Sequence, residues 1–303
     1  MISRERPLII ITGGTGQIGF ELVRALSPLG EVLAPRRAEL DLTRPAQMRA
    51  YLRERRPSLI VNAAAYTAVD RAETEPDLCY TINAEAPGVL AEEARRADAA
   101  LLHYSTDYVF DGRKRTPYIE SDSPSPLNVY GASKLAGERA IEAAGGTWLV
   151  LRTSWVFGAR RGNFVRTIRR LARDARPIRV VMDQSGTPTW SRSVAIATAE
   201  LLARSRDQRW SELLRSHAGV YHLTSAESTT WLEFARAILA RDPARHEHCY
   251  TSLDPITSRE FSAAAERPAY SVLSSERART TFGLRLPPWE AQLSALFADG
   301  DFN

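Results

Sequence analysis

Lysine is almost missing from this chain. Among 303 residues and 40 basic side chains it occurs only at Lys114 and Lys134, and every other basic position is arginine. A chain this averse to lysine keeps one where arginine cannot do the work, because a compact ammonium can tune a neighbour in a way that a bulky, permanently charged fork cannot. Cysteine is equally scarce. Cys79 and Cys249 stand without a C-x-x-C or a zinc spacing, which argues against a disulfide framework or structural zinc and fits a reducing cytoplasm. No run of about 18 apolar residues occurs, and the charged residues 1–7 lead into an apolar strand without a signal-peptide hydrophobic region. Neither export nor membrane insertion is expected. Of five histidines, His246 and His248 lie close together in an Arg/Glu-rich stretch. They read as exposed loop residues, and no metal site is expected. The net charge is +4 and the pI about 9.2. No dense basic block is interleaved with aromatics, so the balance points to an anionic small molecule such as a nucleotide phosphate and not to nucleic acid.

What is present is a globular composition, 44% hydrophobic and 25% charged, and a βα alternation. The unbroken apolar run 8–12 suits a strand buried on both faces. A helix follows through Phe20, Leu22, Val23 and Leu26, stopping near Pro28 and Gly30. Strands are expected at 31–34, 58–62, 99–105 and 147–152, with helices at 46–55, 81–97 and 130–144 and a polar, proline-rich loop at 111–128. This predicts an α/β fold, a Rossmann-type doubly wound parallel sheet. After about residue 155 the pattern weakens, leaving amphipathic helices at 164–173 and 231–240 and no repeat. Residues 1–153 are expected to bind the cofactor and 154–303 to form mainly a smaller C-terminal substrate-binding lobe, with a segment at about 185–222 returning to the sheet.

Gly13, Gly16 and Gly19 form G-x-x-G-x-x-G between strand and helix. The glycines permit a tight turn and let backbone N–H groups and the helix N-terminus approach a pyrophosphate. Near the end of the second strand, where an acid would hold the ribose of NAD, the chain has Pro35-Arg36-Arg37, with Glu39 the first acid after them. A guanidinium suits a 2′-phosphate, so NADPH is expected, with NADH as a second reductant. Asp41 is expected beside the adenine.

Tyr130-Gly131-Ala132-Ser133-Lys134 is Y-x-x-x-K, whose first and last residues share one face of a helix. Tyrosine titrates too high to act near neutrality, and a lysine ammonium beside it would bring it toward the working range. The helix follows a strand ending Ser105-Thr106-Asp107. Thr106 falls at the carboxyl end of that strand, where a hydroxyl can meet a carbonyl oxygen as charge develops on it. Asp107 can hold sugar hydroxyls.

These residues resemble the dTDP-4-dehydrorhamnose reductase family of extended short-chain dehydrogenases over most of the chain. The glycine turn and Val129-Tyr-Gly-Ala-Ser-Lys134 are superfamily features. Asn62-Ala-Ala-Ala-Tyr-Thr-Ala-Val-Asp70, Ser105-Thr-Asp-Tyr-Val-Phe-Asp-Gly112, Arg152-Thr-Ser-Trp-Val-Phe-Gly158 and Asp183-Gln-Ser-Gly-Thr-Pro-Thr189 are more specific, joined by Gly162-Asn-Phe-Val165 and Arg267-Pro-Ala-Tyr-Ser-Val-Leu273. Position by position, the resemblance implies Gly16, Gln17, Ile18, Arg36, Asp41, Leu42, Ala65, Tyr66, Thr67 and Tyr104 at the cofactor, and Thr106, Asp107 and Trp155 at the sugar nucleotide. Without it, Trp155 reads as a core aromatic. Where relatives often have an acid, this chain has Arg36, and the segment 261–266 lacks the prolines usual before the Arg-Pro pair.

The implied reaction reduces the 4-keto group of dTDP-4-dehydro-L-rhamnose with NADPH. Tyr130 donates the proton, Lys134 tunes it and Thr106 polarises the carbonyl. The implied partner is a dTDP-sugar, and a homodimer is compatible with the resemblance. Sugar-nucleotide 4,6-dehydratases carry a glutamate where this chain has Tyr108. Three alternatives remain: a ketoreductase for another deoxysugar nucleotide, an epimerase, and a non-catalytic NADP-binding protein similar to the regulatory subunit of methionine adenosyltransferase.

Overall fold

The computed structural model describes residues 6–205, 209–299 and 302, so most of the charged N-terminal segment read above lies outside the described residues. Six parallel strands make the central sheet: β1 (Leu8–Thr12), β2 (Glu31–Leu33), β3 (Leu59–Asn62), β4 (Ala100–Thr106), β5 (Thr147–Thr153) and β6 (Gly219–His222). Their spatial order is β6-β5-β4-β3-β1-β2. All pairings are parallel, with Ile9 opposite Leu59, Asn62 opposite His103, and Thr106 opposite Thr153.

Both faces of the sheet are covered, which is why the strands read as continuous apolar runs. Successive side chains alternate between two cores. Ile9 and Ile11 pack on one side with Leu22, Val194 and Leu201, whereas Ile10 packs on the other with Met48, Leu90 and Leu101. The first core is closed by α1 (Gln17–Leu26) and α6 (Ser191–Ala203). The second is closed by α2 (Pro45–Arg55), α3 (Ala86–Arg96) and α4 (Val129–Ala144).

One helix differs from the sequence expectation. Instead of one α-helix over 81–97, a short helix (Pro76–Tyr80) runs through a π-helical turn (Thr81–Glu85) into α3. Pro87 has no N–H for the carbonyl of Asn83 four residues earlier, so the regular ladder is interrupted there. The π turn directs Asn83 inward: its Nδ2 donates to the Tyr66 carbonyl (3.0 Å) and its Oδ1 accepts from the Tyr66 amide (2.8 Å).

Between β5 and β6, and again after β6, the chain builds a third core from Phe157, Val165, Ile168, Phe234, Ile238, Trp289 and Leu293. It lies among α5 (Phe164–Ala172), α7 (Trp231–Arg241), α8 (Trp289–Ala298) and a parallel pair of short strands, Ile178–Val181 with Leu253–Ile256. His248 is not the exposed loop residue expected. Its side chain is 8% exposed, with Nε2 3.1 Å from the buried Asp242 carboxylate, which Arg169 also engages. His246 is exposed as expected. No described helix is long and apolar enough to cross a membrane.

Candidate active site

The strand order reverses between β1 and β3, and in open α/β sheets ligands bind outside the carboxyl ends of the strands at such a point. The glycine turn lies there. Gly13 adopts φ +71°, and a Cβ on it would fall 2.7 Å from the Ala64 backbone, while one on Gly19 would fall 2.1 Å from the Gly13 carbonyl oxygen. No side chain caps the start of α1, so its first N–H groups stay available to an anion. Beside the turn is a cavity of about 350 Å³ whose lining includes Thr12, Gly13, Arg36, Arg37, Asp41 and Ala64. A turn closed to side chains, uncapped amides and two guanidiniums fit a phosphorylated dinucleotide.

The other expected cofactor residues fall into two groups. Leu42 and Ala65 line the same cavity. Asp41 is held by the Thr43 amide (3.0 Å) and hydroxyl (2.8 Å), bonds that keep its carboxyl below the ordinary value. Gln17 turns its side chain elsewhere, donating to the Val156 carbonyl and accepting from Asn163, so it ties α1 to the loop before α5. Ile18 packs into the sheet core. The Tyr66 hydroxyl donates to Glu75 (2.6 Å), and Thr67 is exposed. Tyr104 points into the core, its hydroxyl 2.7 Å from Thr198 Oγ1; what it offers the site is its backbone carbonyl.

At the carboxyl end of β4, Thr106 accepts the Tyr108 amide (3.2 Å) and lies near the Tyr130 hydroxyl. Asn128 caps α4 by accepting the Gly131 amide (2.8 Å) while its Nδ2 donates to the Glu266 carbonyl (2.7 Å), fixing the turn that carries Tyr130. Burial pushes the Tyr130 hydroxyl above its ordinary value, against the pull of the nearby Thr106 hydroxyl. This shift runs opposite to the one expected from a neighbouring ammonium. The reason is geometric: Lys134, 1% exposed, donates from Nζ to the Tyr104 carbonyl (2.6 Å) and lies 3.1 Å from His103 Nε2. Burial brings its ammonium down to about 8. A protonated phenol is the form needed to give up a proton.

Asp107 is buried and receives hydrogen bonds from Thr106 (3.0 Å) and Ser154 (3.1 Å). Desolvation nevertheless raises its carboxyl to about 6. Trp155 sits at φ +44°, uncommon for a bulky residue. Its ring stacks on Trp231, with centroids 3.5 Å apart and planes 5° apart, and Trp231 donates to Gln184 (3.2 Å).

Sequence reasoning did not single out Trp231 or Arg267. Both line a cavity of about 730 Å³ in the second lobe, with Phe164, Arg179, Gln184 and Arg259. Arg267 pairs with Asp70 (2.8 Å) and lies beside Tyr108, whose ring meets Tyr130 edge-on at 5.8 Å. The cavity therefore borders the Tyr130 region. The signal for Arg267 in the sequence is the Arg267-Pro268 pair.

Residues 7–301 match the family model described as RmlD substrate binding domain. The chain is 46% identical to a dTDP-4-dehydrorhamnose reductase of Burkholderia thailandensis over 93% of this chain and 95% of the relative. It is 42% identical to a probable dTDP-4,6-dihydroxy-2-methyloxan-3-one 4-ketoreductase of Streptomyces antibioticus, over 96% and 94%. The crystal structure of dTDP-4-dehydrorhamnose reductase from Bacillus anthracis in complex with NADP superposes with a TM-score of 0.87 at 35% identity, covering 97% of this chain and 99% of that one.

Proposed function

The chain belongs to the RmlD substrate binding domain family, and from that membership we propose that it reduces the 4-keto group of dTDP-4-dehydro-L-rhamnose to dTDP-L-rhamnose with NADPH. The observation that carries the assignment of roles is that Tyr130 lies against the carboxyl end of β4, its hydroxyl near Thr106 and its ring edge-on to Tyr108. Two hydroxyls meeting there can share one substrate oxygen.

A nicotinamide dinucleotide supplies the hydride when bound. Gly13, Gly16, Gly19 and the start of α1 hold its pyrophosphate, and Arg36 its 2′-phosphate. Asp41, Leu42 and Ala65 border the nucleoside. Gln17, Ile18, Tyr66, Thr67 and Tyr104 contribute backbone and walls. Thr106 orients and polarises the carbonyl oxygen, Tyr130 delivers the proton to it, and Lys134 supplies positive charge as that proton leaves. Asp107 accepts from sugar hydroxyls. Trp155, stacked on Trp231, forms a flat apolar wall, and the larger cavity with its arginines takes the nucleotide diphosphate. In this reading residues 1–153 and the returning strand β6 serve the cofactor, and most of 154–303 serves the substrate.

The test is NADPH oxidation with dTDP-4-dehydro-L-rhamnose, wild type against Tyr130→Phe. The expected result is rapid oxidation that falls roughly 10²- to 10⁴-fold in the variant with NADPH affinity intact. Equal rates in the two proteins would overturn the role of Tyr130. A second reading, favoured by the Streptomyces antibioticus relative, is a 4-ketoreductase for another dTDP-deoxysugar; turnover of such a sugar alone would select it.

A further inference from the structure

His103 is the one histidine in the β4 run, fully buried, and its two ring nitrogens have partners that fix its proton. Nδ1 lies 2.9 Å from Asn62 Nδ2, and Nε2 lies 3.1 Å from Lys134 Nζ. The orientation of the Asn62 amide follows from its other side, where Oδ1 accepts the Ala64 backbone N–H (3.3 Å) and the Thr12 hydroxyl (2.6 Å). A backbone N–H can only donate, so the atom facing Ala64 is the oxygen and the atom facing His103 is the NH₂ group. Asn62 therefore donates to Nδ1.

A neutral imidazole with an acceptor at Nδ1 carries its proton on Nε2, which aims a donor at Lys134. An ammonium has no lone pair to receive it, whereas an amine does, and an amine still has an N–H for the Tyr104 carbonyl. The imidazole cannot relay a proton onward, because an amide donor blocks its far nitrogen. Burial holds His103 well below its ordinary value, so it stays neutral.

We propose that His103 is a positioning residue for this centre: oriented by Asn62, its Nε2–H favours the amine form of Lys134 at the end of β4, so that above neutrality Lys134 takes a proton from solvent and turns from His103 when it engages the cofactor. The carboxylates around Lys134 are engaged elsewhere, so His103 and burial set this balance. On α4 itself Glu138 favours the ammonium but is spent on Arg152 from β5 and on Ser105. The helix Pro76–Tyr80 presents Cys79, bonded to Ser133. The turn after β4 presents Asp107, which accepts from Thr106, and Tyr108, which lies beside Arg267. Glu92 and Glu93 of α3 pair with Arg49 and Arg53, and Asp70 pairs with Arg267.

The inference rests on the reductase reading for its activity readout alone. The first measurement needs no turnover: calorimetry of NADPH binding at pH 9 in two buffers of different ionisation enthalpy, which counts protons taken up. Wild type is expected to take up close to one proton, and His103→Leu clearly less. The second is the pH profile of kcat/KM, whose alkaline limb should move up by about one unit in His103→Leu and return in His103→Gln, which can accept from Asn62 and donate to Lys134. Should His103→Leu not fold, Asn62→Asp reverses the tautomer without changing size and should move the limb the same way. Equal proton uptake and coincident alkaline limbs would overturn the proposal. Absence of turnover with normal proton uptake would count against the reductase reading and leave this one standing.

Discussion

The space that a side chain on Gly186 would occupy belongs to the Trp155 indole: a Cβ there would lie 2.3 Å from its ring. Gly186 thus seats the ring that stacks on Trp231. Gly186→Ala must displace Trp155, at a cost of about 1–3 kcal/mol in stability. Trp155 serves the sugar in the proposed site, so the KM for the sugar nucleotide should rise well above any change in that for NADPH. Chemical denaturation and steady-state kinetics check both. An unchanged KM with lost stability would make Trp155 a packing residue only.

Asp107 carries a folded-state pKa raised from 3.8 to about 6. Between those values the folded chain holds a proton that the unfolded chain has released. Its contribution is therefore present in full below about pH 4, shrinks as pH rises, and is lost above about 6. The two-unit shift corresponds to about 3 kcal/mol. Urea unfolding of wild type and Asp107→Asn from pH 4 to 7 should show wild type losing ground to the variant across that window. A pH-independent difference would contradict the raised value.

Arg36 borders the cavity at the glycine turn. Arg36→Ala should raise the KM for NADPH roughly ten- to hundredfold, the size of a lost charge-assisted phosphate contact, and leave that for NADH nearly unchanged. Equal effects on both cofactors would remove the 2′-phosphate from its role.

Glu138 and Arg152 form a two-point ion pair, 2.9 and 2.6 Å, with side chains 5% and 4% exposed. It fastens α4, which carries Tyr130 and Lys134, to β5. Glu138→Gln leaves the guanidinium buried with one partner weakened, and about 3–5 kcal/mol of stability should go. Denaturant melts measure it; a loss under 1 kcal/mol would show that solvent reaches the pair.

Much of the sheet was legible because both of its faces are covered, so β1, β3, β4 and β5 appear as short apolar runs between glycine and proline signals. The glycine turn and the Tyr130–Lys134 spacing were legible because backbone geometry dictates them. The π turn at Thr81–Glu85 was not, since it depends on how Pro87 and Asn83 meet a tertiary surface. His103 was visible in principle as the lone imidazole inside an apolar strand, and Asn62 as the polar end of another. Their partnership depends on strand register, which brings Asn62 opposite His103. The Trp155–Trp231 stack joins residues 76 positions apart, beyond any local pattern.

The last strand of the sheet, β6, reaches its place beside β5 only after the chain has laid down α5 and α6. A recombinant fragment ending at residue 153 would carry the glycine turn and the tyrosine, yet it would leave β5 as a long, bare, apolar edge, ready to pair with another copy. A cut after residue 153 therefore leaves the sheet without its β6 edge and β6 without its neighbour.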